Sequence, residues 1–328
     1  MSEFYPLVFE PVYKDYIWGG RDLEKFGRDF TGLQKVAESW EIAAHQDGMT
    51  LVAKGGFKDR SLQELVDEFG VCLVGTKNRW ALDRGKFPLL VKLIDAHQAL
   101  SVQVHPDDAF AGSHENHELG KSEMWVVLAA EPDAEIIYGL SEKMTPDKLQ
   151  QSIEKGILEQ YLNRVPIHTG DHVCVPAGTL HAILAGAVLV EIQQNSNTTY
   201  RVYDWNRVGK DGQPRQLHIE KALDVINYEQ VGQKLTPPEL IDNGKKRMSE
   251  RLCQNPYFTV ERHFFKRDGH YSGDCDGSTM EIWGVLYGEM HINGQSIAGV
   301  GFVLLPAALG PFEINAKADS VLLRAFAT

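Results

Sequence analysis

Short β-branched and aromatic runs, each closed off by glycine, proline or a charged turn, recur along this chain and constrain its fold more than any other feature. Examples are Phe87 to Ile94, Leu100 to His105, Met124 to Leu128, Glu135 to Tyr138, His172 to Val175 and Val188 to Gln193. Many short strands of this kind build an all-β barrel or sandwich core. Helical patterns enter as insertions. Ser61 with Glu64 forms a capping box ahead of Leu62, Leu65, Val66 and Phe69, Thr145-Pro146 opens a helix through about Tyr161, and a third helix is expected around Glu220 to Ile226.

Between Tyr228 and Asn243 the sequence turns polar and carries Pro237-Pro238, the signature of a linker. Beyond about residue 250 short strands resume. Gly170-Asp171-His172-Val173-Cys174-Val175-Pro176-Ala177 is echoed by Val300-Gly301-Phe302-Val303-Leu304-Leu305-Pro306-Ala307, each a strand ending in Pro-Ala. In that alignment Pro311 stands opposite His181. The expectation is a mainly-β protein of two similar barrels: a metal-bearing one with helical additions over residues 1–240, and one without a metal site over 241–328.

The stretch Leu100-Ser101-Val102-Gln103-Val104-His105-Pro106-Asp107-Asp108 carries the chemistry. Alternation along a strand places Leu100, Val102 and Val104 on one face and Ser101, Gln103 and His105 on the other. A polar face inside a small barrel is tolerated where it lines a cavity, because a buried polar group without a partner costs about 1–3 kcal/mol. With Glu123 at a strand entrance and His181 beyond Pro176-Ala177-Gly178-Thr179, the set offers two imidazoles, a carboxylate and an amide oxygen, which suits a catalytic divalent metal. Taken singly, each of these residues reads equally as a strand edge, a surface charge or a structural histidine. Lys121 would share the face of Glu123. Glu191 lies between apolar strand residues and a polar loop, a setting that tunes a carboxylate for proton transfer. Arg201 ends a polar stretch and can chelate an oxyanion in bidentate fashion, with Arg207 nearby in sequence. Trp18-Gly19-Gly20 and Glu38-Ser39-Trp40-Glu41 wall a sugar site or fill a core. His114 and His117 lie in a wholly polar segment and read as a solvated loop.

At 328 residues, 43% hydrophobic and 24% charged, the chain can bury a large core. Its formal charge of −12 excludes a general nucleic-acid or anionic-membrane binder, so an anionic substrate requires a local cationic pocket. The longest apolar run, Ala182 to Val190, falls short of the roughly 20 residues that span a bilayer. Cys72, Cys174, Cys253 and Cys275 form no CxxC pair, and the start Met-Ser-Glu-Phe lacks signal-peptide blocks, so reduced thiols and a cytoplasmic setting are expected.

Taken together, Phe87 to Asp95, Leu100 to Asp108, Gly120-Lys121-Ser122-Glu123, Pro176 to His181 and Glu191 to Arg201 resemble the mannose-6-phosphate isomerase family. Pro6 to Gly20 and Ala37 to Ile42 look like its short bacterial, type I-like form. The resemblance runs through most of residues 5 to 210 and more loosely to the end. It implies two cupin (jelly-roll) barrels, a zinc-dependent interconversion of mannose 6-phosphate and fructose 6-phosphate through an enediol, and one Zn2+ per chain held by Gln103, His105, Glu123 and His181. It further implies phosphate binding at Ser101, an active-site lysine at Lys121, a carboxylate at Glu191 and an arginine at Arg201. The substrate would be a small sugar phosphate, with neither nucleic acid nor membrane as partner, and the chain a monomer or weak homodimer. Downstream of Arg201 the family's longer members read differently, which leaves phosphate contacts by Arg207 or Lys210 unassigned. Alternatives are another cupin metalloenzyme, such as a cupin-type phosphoglucose isomerase or an iron oxygenase, or a non-catalytic sugar-binding cupin.

Overall fold

The computed structural model describes residues 4–209 and 212–328; Lys210 lies outside them. The architecture is mainly β. A five-stranded sheet runs in the order Leu162–Pro166, Glu135–Leu140, His181–Ile183, Val102–Val104, Tyr200–Tyr203. Facing it, a six-stranded sheet runs His172–Val175, Glu123–Ala130, Ala187–Gln194, Leu89–Ala96, Glu38–Ile42, Val12–Lys14. The C-terminal part repeats the plan. Its six-stranded sheet runs Glu239–Asn243, Arg247–Gln254, Thr259–Phe265, Ser320–Phe326, Glu281–Tyr287, Gly301–Leu305, against a four-stranded sheet of His270–Cys275, Gly310–Ala316, Glu289–Ile292 and Gln295–Ala298. The ladders of each pair stay separate, so the expected barrels are sheets packed face to face, the double-sheet form of the jelly roll.

The central strands of the first six-stranded sheet are buried along their whole length because both of their faces are covered. On the outer face Val91, Leu93, Met124, Val126, Val190 and Ile192 join a core shared with Val260, Ile282, Leu304 and Leu323 of the C-terminal sheet and with Leu62, Leu65 and Val66 of the capped helix Leu62–Phe69. On the inner face Ile94, Trp125, Val127 and Leu189 meet Ile136 and Ile183 of the five-stranded sheet. Inner-face positions toward one end are polar instead: Lys92, Glu123, Glu191 and Gln193, all buried. One alternation therefore builds an apolar plug and a polar chamber on the same face.

The outer face of the five-stranded sheet is closed by the helices Pro146–Glu154 and Ile219–Val225, which bury Val102, Val104, Ala182 and Val202 with Leu149 and Ala222. Leu100 departs from the expected alternation. The regular strand begins only at Val102, and Leu100 turns inward to join the cluster around Ile94 and Trp125. The helix expected to reach Tyr161 stops at Glu154 and resumes as a 3-10 turn at Leu158–Tyr161. The segment expected as a linker contains the edge strand Glu239–Asn243, paired with Arg247–Gln254. A helix unforeseen in the sequence, Asp108–His114, is capped by Asp107, whose Oδ1 accepts from Phe110 N at 2.8 Å.

The expectation of four reduced thiols is corrected for two of them. Cys174 and Cys253, 79 residues apart, form a disulfide with a Cα–Cα distance of 5.8 Å, while Cys72 and Cys275 are free. The pair joins edge strand His172–Val175 to strand Arg247–Gln254 where the two six-stranded sheets share their core. Spacing in sequence carries no sign of that approach. Among the described residues, no helix is long and apolar enough to cross a membrane.

Candidate metal centre and substrate cleft

His105, Glu123 and His181 converge from three strand ends, and their donor atoms all lie within 4.8 Å of one another. Strand pairing causes this. His181 lies opposite Gln103 in the five-stranded sheet, and Glu123 lies opposite Gln193 and Val175 in the six-stranded sheet. His181 Nε2 is 3.3 Å from Glu123 Oε1, and His105 Nε2 is 3.5 Å from Glu123 Oε2. The other ring nitrogens are fixed by backbone carbonyls: His105 Nδ1 to Thr198 O at 2.9 Å and His181 Nδ1 to Thr179 O at 2.8 Å. A carbonyl only accepts, so each Nδ1 carries the proton and each Nε2 presents its lone pair to the centre.

The protonation states agree with that arrangement. Burial, aided by Lys121 and His181, holds His105 well below the usual imidazole range, and burial brings His181 down to about 4, so both rings are neutral at pH 7. Burial and the neighbouring Glu191 charge push Glu123 up to about 7 against the pull of Lys121. Neither Glu123 oxygen has a hydrogen-bond partner, although the Lys121 ammonium lies 2.9 Å from Oε2 and donates to His105 Nε2 at 2.9 Å. A buried carboxylate met by a single ammonium, beside two inward imidazole lone pairs, is a donor set that fits a divalent metal. Gln103 borders the group, with Nε2 3.4 Å from His181 Nε2. Its amide is symmetric in outline, so a half-turn exchanges nitrogen for oxygen on that side.

Gln103 and Lys121, which touch His181 and His105, also line a cleft of about 370 Å³. Ser101, Gln103, Lys121, Glu191 and Arg201 all line it. Lys92, given no role by sequence reasoning, sits among them, as does Glu38 from the Glu38-Ser39-Trp40-Glu41 stretch expected to wall a sugar site or fill a core. Lys92 Nζ is 2.8 Å from Glu191 Oε1 and 3.4 Å from Glu38 Oε2, and the three are buried together. Trp125 Nε1 donates to Glu191 Oε2 at 2.8 Å and Trp40 Nε1 to Glu38 Oε2 at 2.7 Å. Although burial works against ionisation, Lys92 and Lys121 hold the Glu191 pKa below the usual range. The signal for Lys92 was present in the sequence: one lysine inside the apolar run Phe87 to Ile94 has to find an anion.

Trp18 lines the cleft, as do Tyr16 and Arg215, whereas Trp40 packs in the core beneath Glu38. Arg207 does not line it. Its guanidinium binds Ala99 O and Asp204, which makes it a brace for the loop. His114 and His117 stay outside the donor group, His114 hydrogen-bonded to Phe110 O at 3.0 Å.

A double-sheet jelly roll with a buried His-Glu-His group that could hold a metal, beside a cationic, carboxylate-bearing cleft, is the site of an enzyme of the cupin fold. The catalytic-domain pattern of type I phosphomannose isomerases matches residues 7–129. The mannose-6-phosphate isomerase ManA of Bacillus subtilis is 36% identical over 329 residues, covering 97% of this chain and 98% of the relative. The mannose-6-phosphate isomerase of Streptococcus mutans is 41% identical over 256 residues, covering 78% of this chain and 77% of its own length. The crystal structure of the mannose 6-phosphate isomerase from Bacillus subtilis superposes with a TM-score of 0.85 at 32% identity, over 98% of this chain and 99% of that one. The chain belongs to the mannose-6-phosphate isomerase family.

Proposed function

We propose that this protein interconverts mannose 6-phosphate and fructose 6-phosphate, with one zinc ion held by Gln103, His105, Glu123 and His181 and the chemistry confined to residues 1–240. The observation that carries the reading is a buried His-Glu-His group joined through Gln103 and Lys121 to the cleft that holds the Glu191–Lys92 pair and Arg201. Moving a proton between adjacent sugar carbons through an enediol requires a base, a path for hydroxyl protons and stabilisation of oxyanion charge. Bound zinc supplies Lewis acidity to the developing oxyanion.

The chain's own residues supply the rest. Glu191 is ionised and buried, with its two oxygens set by Lys92 and Trp125, and in that setting it takes and returns the carbon-bound proton. Lys121, at 2.9 Å from Glu123, adds positive charge beside the donor group. Ser101 and Arg201 bind the phosphate, which fixes the sugar through binding energy remote from the reacting carbons. The low exposure of the cluster excludes water from the enediol. Residues 241–328 lend their six-stranded sheet to the shared core and take no part in the chemistry.

A coupled assay of mannose 6-phosphate conversion, with and without chelator and with zinc restored, tests this. The expected result is loss of the rate on chelation and recovery with zinc. A full rate after chelation removes the metal from the reaction, and no conversion by zinc-loaded protein removes the substrate.

A further inference from the structure

Beyond Arg201, the cleft holds a second arginine whose setting is that of a ligand-binding group. Arg215 lines the cleft together with Ser101, Arg201 and Trp18. Its guanidinium lies 5.2 Å from the centroid of the Trp18 ring, and Trp18 stacks on Tyr16 at 4.6 Å. Asp204 receives Nε at 2.7 Å and Nη2 at 2.5 Å, which leaves Nη1 outside that pairing. A planar fork held on one edge by a carboxylate and on one face by an indole is pre-organised, so little side-chain entropy is lost when it meets an anion.

Charge around it is unbalanced. Asp204 also pairs with Arg207 at 2.6 Å, so one carboxylate serves Arg207 and Arg215 while Arg201 stands beside them. Among the described residues, Arg201 and Arg215 on the cleft wall share that one carboxylate with Arg207 behind it, so the wall keeps a positive excess, which suits a phosphate monoester that carries about −1.5 to −2 near neutral pH. Burial and then repulsion from Arg215 lower the Arg201 pKa, which records how closely the two cations face each other. Two buried donors at this end lack partners, Arg201 Nε and Trp18 Nε1. Buried unpaired donors lining a cleft point to an acceptor that the protein itself does not provide.

The loop is also built to hold this position. Trp205 takes a left-handed backbone conformation, with φ of 57°, which a bulky non-glycine residue adopts only when its surroundings enforce it. Trp205 Nε1 donates to Leu100 O at 2.7 Å and Arg207 to Ala99 O, bolting the loop to the segment that leads into Ser101.

We propose that Arg215 is the second arm of a two-arginine clamp on the substrate's phosphate, presented by Asp204 and Trp18, with the Trp18 indole N–H donating to the same ligand. This rests on the isomerase reading for the identity of the ligand, but the clamp is measurable without turnover. Calorimetry with inorganic phosphate on the zinc-loaded protein reads it directly, alongside kcat/KM for mannose 6-phosphate. Arg215→Gln should weaken phosphate binding and lower kcat/KM together, each by about tenfold to a hundredfold, the range for losing a charge-assisted hydrogen bond. Arg215→Lys, which keeps the charge and loses the fork, should fall between. Arg207→Gln, which disturbs the same carboxylate without touching the cleft, should cost less than about threefold in both.

Wild-type protein that binds no phosphate, or Arg215→Gln within twofold of wild type in both measurements, overturns the clamp. So does an Arg207→Gln loss equal to that of Arg215→Gln, since the effect would then pass through Asp204. Phosphate binding that depends on Arg215 in a protein that does not isomerise mannose 6-phosphate upholds the clamp and refutes the functional reading instead.

Discussion

Lys92→Met isolates the buried ion triad from the rest of the cleft. Lys92 Nζ sits 2.8 Å from Glu191 and 3.4 Å from Glu38, and none of the three residues is more than 6% exposed. Methionine fills most of the volume but leaves two carboxylates buried with only the Trp125 and Trp40 indoles as partners. Breaking a buried pair by removing one member costs about 3–5 kcal/mol, because the remaining charge keeps its desolvation penalty. For a chain of this size, with an unfolding entropy of about 0.7 kcal/mol/K, that corresponds to a fall in Tm of about 4–7 °C. The loss depends on pH with a definite sign. In the wild type Glu191 is held below its unfolded pKa, so its contribution is present above that pKa and fades as pH falls through the folded value. In the variant the unpaired carboxylates shift upward, so their penalty is relieved by protonation as pH falls. The gap between the two proteins should therefore narrow from pH 8 to pH 5. Thermal unfolding at both pH values with zinc in excess measures it, and Lys92→Met/Glu191→Gln should recover part of the loss. A gap under about 1 kcal/mol, or one equal at both pH values, would falsify the assignment of Lys92 as the ion that keeps Glu191 charged.

His105→Ala and His181→Ala should each lower bound zinc and isomerase activity together, by more than the about 10- to 100-fold expected from losing a residue that only hydrogen-bonds a ligand; elemental analysis beside the coupled assay checks this, and a metallated, active double variant would sink the centre. Glu191→Gln should slow hydrogen exchange at C2 of the substrate by about 10²- to 10⁴-fold with zinc content unchanged, and normal exchange removes Glu191 from the proton transfer. Metal-free protein should lose stability as pH falls from 6.5 toward 4, because burial holds folded His181 at about 4 and the unfolded chain takes up the proton first. That one shift is worth roughly 3 kcal/mol. Urea unfolding of chelated protein across this range should show the decline, and a flat profile contradicts a neutral, buried His181.

The mainly-β character was legible because strand runs and their punctuation are local properties. The convergence of the candidate donor group was legible for a related reason. Ser101, Gln103 and His105 sit on one short stretch, and only Glu123 and His181 had to be brought to it by register. Residues whose role depends on a distant partner were harder. Lys92 announced an anion but not which one, since pairing of Leu89–Ala96 with Ala187–Gln194 is what sets it opposite Glu191. Arg215 announced nothing, standing in a polar loop where a solvated arginine is the default. The Cys174–Cys253 contact depends on two sheets packing back to back, and no local pattern encodes that. Leu100 shows the opposite error: a period of two was extended past the point where the strand begins.

The two jelly rolls show how one scaffold supports an open chamber and a filled one. In the first, Glu123 and Trp125 lie opposite Val175 and Val173 on the edge strand; in the second, Glu281 and Trp283 lie opposite Leu305 and Val303 in the same register. The next strand inward puts Glu191 opposite Trp125 in one and Arg324 opposite Trp283 in the other. The strand after that puts Lys92 opposite Glu191 and Glu261 opposite Arg324, so the ion pair is retained with its charges exchanged. That exchange decides what Glu123 and Glu281 can do. With the cation one strand further in, the Lys92 ammonium is held by Glu191 and Glu38, and Glu123 faces only the Lys121 ammonium, 2.9 Å from Oε2. With the cation on the strand next to Glu281, the Arg324 guanidinium reaches Glu281 directly through two nitrogens and Glu261 through a third, and Trp283 donates to the same Glu281 at 2.7 Å. The carboxylate in the position of Glu123 is thereby neutralised by the protein, and the arginine fills the space among Trp283, Tyr271 and Phe326. One reversal of charge order across two neighbouring strands is enough to turn a chamber that calls for a cation into a core that supplies its own.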